Sequence, residues 1–198
     1  MKKLTAGMII FGVLLILGGL SKQFSVFGLI GSFLSPRITE QDLARHPSAE
    51  AASDESRAAV VEYHRRQTEF SASLLTRFYL LANILLGWAA LAGGIGLFMT
   101  APWAREMILS YAYVSLPIQL FQQVRGAVFT VSMMQAAAGA MPNQPAMAGS
   151  IFGGIGWAMG LLGILTVCLW YGLLIWYFRR PVIQARLAGG PGGGTLGV

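Results

Sequence analysis

Charge is what this chain has least of. Only 11% of its 198 residues are Asp, Glu, Lys or Arg, against about 25% in an ordinary soluble domain. Eight are acidic, and seven of those fall between residues 35 and 77. The apolar segments therefore carry no buried carboxylate of the kind that proton- or cation-coupled transport requires. Cysteine is nearly absent as well. Cys168 alone can form no intrachain disulfide, and no CxxC or Cys/His spacing exists for zinc or thiol redox chemistry. It reads as a small buried hydrophobe.

The two histidines, His46 and His64, are not at metal-ligand spacing, and His64 sits among charges that suit a solvated helix. No HExxH, GxSxG or P-loop is present. No catalytic, cofactor-binding or metal-ligating residue is expected, and enzyme activity is not. The net charge of +6 comes without a long basic run or aromatic–basic alternation, so no nucleic-acid partner is expected.

What is present is apolar length. Hydrophobic residues make up 55% of the chain, in uncharged runs long enough to cross a bilayer. The expected fold is all-α and polytopic. Four transmembrane helices, at about 4–22, 78–101, 107–132 and 151–176, form one membrane domain over 1–188. An extramembrane helical region, 35–77, separates the first two spans. Residues 189–198 hold six glycines and read as a disordered tail.

The uncharged run 4–20 gives about 25 Å of helix, short but sufficient. No A-x-A site follows it, which favours an uncleaved signal anchor. Lys22 then marks the far end, because centring it in lipid would cost about 2.5–3.5 kcal/mol. Phe24, Phe27, Ile30 and Leu34 share one helical face and predict an interfacial segment. In the polar region, Thr39 with Asp42 resembles a capping pair, Pro47 breaks that helix, and Ser48 caps a second over about 49–72. Glu62 with Arg66 and Arg65 with Glu69 stand four apart, as helical ion pairs do. This helix is expected to run unbroken into the second span, and 136–150 to form a loop.

Lys2, Lys3, Arg105, Arg179, Arg180 and Arg186 all flank spans on one side. That places both termini in the cytoplasm, with a bacterial inner membrane as the expected location.

Two patterns lie inside the spans. Ser115, Gln119, Gln122, Gln123, Gly126 and Thr130 form a polar, small-residue stripe on one face of the third. The stripe lines a water-filled path or bonds to neighbouring helices, with Asn83 as a partner for one glutamine. Pro117 removes one backbone bond there, and Arg125 lies off the stripe, close enough to the far surface to snorkel. The second pattern is glycine. Gly149 and Gly153, then Gly156 and Gly160, are small pairs at i,i+4 in the fourth span, spacing that lets helix backbones approach.

The Pro102, Trp103, Ala104, Arg105 turn after span two and the Arg180-Pro181 exit after span four resemble small four-span bacterial inner-membrane proteins. That resemblance implies a fold and no activity. The expected function is a non-enzymatic interaction, assembly or accessory subunit, in contact with lipid and with other membrane chains. The alternatives are a small oligomeric channel or transporter using the stripe and, more distantly, a membrane enzyme or metal binder using the outer helix.

Overall fold

The structure is a computed structural model and describes residues 4–34, 62, 65–139 and 147–188. The expected caps at Thr39, Asp42 and Ser48, both histidines' surroundings and the glycine tail lie outside the described residues.

Every element among the described residues is a helix: α1 Ala6–Gln23, α2 Ser25–Leu34, α3 Leu74–Phe98, α4 Pro102–Gly139, α5 Met147–Phe178 and α6 Pro181–Ala188. Thr5 caps α1, its Oγ1 accepting from the Met8 N–H at 3.3 Å. Only Phe24 separates α1 from α2, and it keeps helical backbone angles (φ −62°, ψ −17°). The expected interfacial segment is therefore a continuation of the first helix. Ala6–Phe33 forms one apolar run of 28 residues, and Lys22 stands inside it rather than at its end. Nothing between Ser21 and Phe33 is a strong enough breaker to stop the helix.

Residues 65–72 are helical but do not run on into the second span. Ser73 interrupts them, and its Oγ accepts from the Thr76 N–H at 3.3 Å, capping α3. The connection from α3 to α4 is equally local. Ala101 N–H bonds to Gly96 O at 2.9 Å and Thr100 N–H to Leu97 O at 3.0 Å, the paired bonds of a Schellman cap. Thr100 takes the left-handed position, φ 49°, that glycine usually fills. Pro102 then opens α4, where its missing N–H costs nothing.

Among the described residues, three helical runs are long and apolar enough to cross a membrane: Ala6–Phe33, Leu74–Phe98 and Gly153–Phe178. The third of the four expected spans is not among them. Its helix, α4, is the longest at 38 residues, but Ser115, Pro117, Gln119, Gln122 and Gln123 dilute its apolar character. Pro117 lies within α4 without ending it.

The chain divides into two compact units. The first comprises Met1–Gly28, Tyr79–Leu120 and Thr166–Val198. Four helical segments pack in it as a closed, antiparallel ring of neighbours. Gly19 of α1 approaches Gly87 of α3, and Gly12 approaches Gly94. Gly93 of α3 faces Ile108 of α4. Arg105 of α4 donates from Nε to Phe178 O of α5 at 3.0 Å. Tyr177 of α5 hydrogen-bonds Thr5 at 2.9 Å, beside the N-terminus of α1. Met8, Leu15, Leu97, Ile108, Leu174 and Phe178 fill the centre, and Leu187 of α6 joins them.

The second unit comprises Leu29–Phe78 and Phe121–Leu165. Here α4 meets α5 through Val131 against Gly156 and Ala127 against Gly160. Phe70 stacks on Phe129 with centroids 4.1 Å apart. The expected ion pairs are present: Arg65 to Glu69 at 3.0 Å and Arg66 to Glu62 at 2.6 Å, with Arg65 also reaching Glu62 at 2.8 Å.

These pairs predict a pH response. Hydrogen bonds from Arg65 and then Arg66 lower the Glu62 carboxyl to about 2. A depressed folded-state pKa stabilises above the ordinary carboxylate range and loses that contribution as pH falls toward 2. Amide protection of residues 65–72, corrected for intrinsic exchange, should drop roughly two- to fivefold between pH 6 and pH 2.5, the scale of an exposed ion pair. Glu62→Gln should remove that dependence, and equal protection at both pH values in the native chain would refute it.

Candidate functional site

The outward surfaces of α1, α3 and α5 carry exposed Leu17, Leu20, Leu85, Trp88, Leu162 and Leu169. Exposed leucine at this density belongs in lipid. Cys168 is on that surface too, and so is not the buried hydrophobe expected. Its position on α5 turns it away from the packed face defined by Tyr171, Leu174 and Phe178.

Polar side chains gather on the inside of the first unit. Lys22 Nζ donates to the Tyr111 hydroxyl at 3.1 Å and to the Tyr171 hydroxyl at 3.4 Å. It also stands 4.8 Å from the centre of the Tyr111 ring, a cation–π distance. The two phenols lie 3.3 Å from each other. Ser115 is fully buried one turn along α4, its Oγ facing the same hydroxyls without a well-formed hydrogen bond.

One turn further, Gln119 links two residues of α3. Tyr79 OH donates to Gln119 Oε1 at 3.1 Å, and Gln119 Nε2 donates to Asn83 Oδ1 at 2.8 Å. The structure thus brings together Gln119 and Asn83, as their depth in the sequence implied. Gln23 Nε2 donates to the Ile84 carbonyl at 3.4 Å close by.

A cavity of about 520 Å³ opens beside Lys22, lined also by Leu14, Leu17, Tyr111, Gln119 and Trp170. Among the described residues, no carboxylate answers the Lys22 charge. The only acidic residue in this unit's three segments is Glu106, and Arg105 pairs with it. An ionisable side chain inside a span, held by hydroxyls and facing a cavity, is the feature of this chain with most chemical character.

The rest of the expected stripe lies in the second unit and does not stay together. Gln123 packs where α5 has Gly163; a methyl there would meet its Oε1 at 2.7 Å. Gln122 Oε1 is buried without a hydrogen-bond partner. Thr130 is exposed and leaves the stripe. Arg125 is half-buried. Its guanidinium donates to Ser73 Oγ at 2.6 Å and lies 4.2 Å from the Phe70 ring centre.

Of the glycines singled out, Gly153, Gly156 and Gly160 are buried, and the surroundings of Gly149 lie outside the described residues. A Cβ at Gly160 would stand 2.5 Å from Ala127 Cβ.

Sequence reasoning missed Lys22, Tyr111 and Tyr171 as a cluster. One signal was available: Tyr111 lies four residues before Ser115, so the polar stripe extends one turn further back than it was traced. Lys22 was masked by the expectation that a lysine ends its span.

Comparison with known families, curated proteins and solved structures gives no match.

Proposed function

We propose that the chain is a four-span integral membrane protein acting as a non-enzymatic assembly or accessory subunit through its helix faces within the bilayer. The observation that carries this reading is the Tyr79–Gln119–Asn83 chain of hydrogen bonds. The most deeply placed amide of α4, Gln119, uses both ends of its side chain on α3. Polar side chains used this way fasten helices to one another.

The third span, added to the three apolar runs to make four, is α4. Its polar content is no obstacle, because Tyr111, Ser115 and Gln119 face other helices of the first unit rather than lipid. It is also bracketed by α3 and α5, each apolar enough to cross and each antiparallel to it. With four crossings, the start of α1 and the end of α5 share one membrane face, a pairing that the Thr5–Tyr177 bond supports. Arg105, Arg179 and Arg180 flank that face, which makes it the cytoplasmic one. The Pro102–Arg105 turn and the Arg180-Pro181 exit then resemble those of small bacterial inner-membrane proteins.

Topology reporters give a direct check. A fusion after Val198 should be active as a cytoplasmic reporter, and fusions near residues 50 and 143 as periplasmic ones. Periplasmic activity at the C-terminus would sink the four-span reading. For function, mild-detergent purification from native membranes should recover a stable complex with a second membrane chain. A homo-oligomer that conducts solute in liposomes would favour the channel instead.

A further inference from the structure

We propose that the cavity beside Lys22 binds a lipid anion: a carboxylate or phosphate headgroup carried on an acyl chain. The first ground is charge. A cation removed from water needs a compensating partner. The tyrosine hydroxyls and the Tyr111 ring supply part of that compensation, and no acidic side chain of the unit is free to complete it. An incoming anion would.

The second ground is the donor set. Lys22 Nζ and the two phenols all line the cavity, are able to donate, and converge on one place. Charge-assisted bonds to an oxyanion are the strongest such donors make. A neutral ligand would accept the hydrogen bonds but leave the charge unanswered.

The third ground is the wall. Below Lys22 the cavity is lined by Leu14, Leu17, Val167 and Trp170. Leu14 and Leu17 are 41% and 58% exposed, and Thr166 is exposed beside them, so the opening faces sideways. A ligand reaches such a cavity from the bilayer. By helical rise Lys22 lies about 24 Å from Ala6, about 6 Å inside the far edge of a 30 Å hydrocarbon layer if Ala6 marks the near one. A headgroup need sink only about one helical turn to meet it. The acyl chain then follows Leu17 and Leu14 toward the membrane centre. Free aqueous anions have no such route. The volume falls in the range of small-molecule sites.

The test uses the full chain in nanodiscs of neutral phosphatidylcholine, titrated with a fatty acid brominated in mid-chain, with tryptophan quenching as the readout. It needs the cavity to exist and is independent of topology and of any partner chain. Quenching should include a saturable part that disappears in Trp170→Phe. Lys22→Met should weaken the apparent affinity about tenfold, the scale of a charged hydrogen bond, and Lys22→Arg should keep most of it. On the unmutated protein, the methyl ester of the same acid should bind about tenfold more weakly, so the proposal stays testable if Lys22→Met does not fold. Acetate and inorganic phosphate should not displace the probe. No saturable quenching, equal binding of acid and ester, or displacement by the soluble anions would each overturn the proposal.

Discussion

Leucine in place of Gly19 should cost the protein much of its folded fraction. At that position a Cβ would stand 2.8 Å from the Gly87 carbonyl oxygen and 3.0 Å from the Leu91 nitrogen. Both are backbone atoms, which cannot rotate aside as a side chain does. The same holds seven residues away, where a Cβ on Gly94 would meet the Gly12 carbonyl oxygen at 2.9 Å. Two glycines seven apart on α1 thus face two glycines seven apart on α3, and the helices touch backbone to backbone. Overpacking a closed contact costs typically about 1–3 kcal/mol, more when nothing can yield. The pair Gly19→Leu and Gly94→Leu lies about 10 Å apart along the helices, far enough for the costs nearly to add. The second unit has the matching case in Gly160→Leu, set against Ala127 Cβ at 2.5 Å. Gly172→Leu is the control, because nothing lies within 4 Å of a Cβ there. It should change thermal stability by no more than about 0.5 kcal/mol. Equal melting of Gly19→Leu and Gly172→Leu in detergent would show that α1 and α3 are not in contact.

That contact shows where the sequence was legible. Gly156 and Gly160 stand close together in an otherwise apolar run, and their spacing alone announced a packed face. Gly12, Gly19, Gly87 and Gly94 announce theirs only when the two helices are laid antiparallel, since on the face in contact each helix by itself offers one glycine per two turns. The hydrophobic length of α1, α3 and α5 was readable for the same reason: it depends on composition over some twenty residues. Boundaries were less so. Ser73 could be read as one more serine in a helix or as a cap, and only its bond to the Thr76 N–H decides. Lys22 is the sharpest case. Hydropathy treats a lysine in a span as a cost and moves the span's end to meet it. Two tyrosines from distant parts of the chain offset that cost, and no local rule sees them together.

The amides of α4 lead to the second large effect. Gln119→Leu alone would leave Asn83, only 4% exposed, with its Oδ1 unanswered, and Tyr79 without its acceptor. Stranding a buried polar group costs about 1–3 kcal/mol, more than the average of about 0.6 kcal/mol for one interhelical hydrogen bond in a bilayer. Asn83→Leu should strand the Gln119 amide at a similar cost. The double variant removes donor and acceptor together and replaces them with residues at home in a dry interface. Removing both partners of a buried hydrogen bond can be nearly neutral, so the double variant should be more stable than the sum of the single variants predicts, by about 1 kcal/mol or more. Thermal unfolding of all four proteins in one detergent gives the coupling directly. The same four proteins separate the two functional readings. If the amides fasten α3 to α4, any phenotype of Gln119→Leu should track its stability and recover in the double variant. If they line a path for solute, activity should vanish in Gln119→Leu at unchanged stability and stay absent in the double variant, because restored packing returns no polar group to the path.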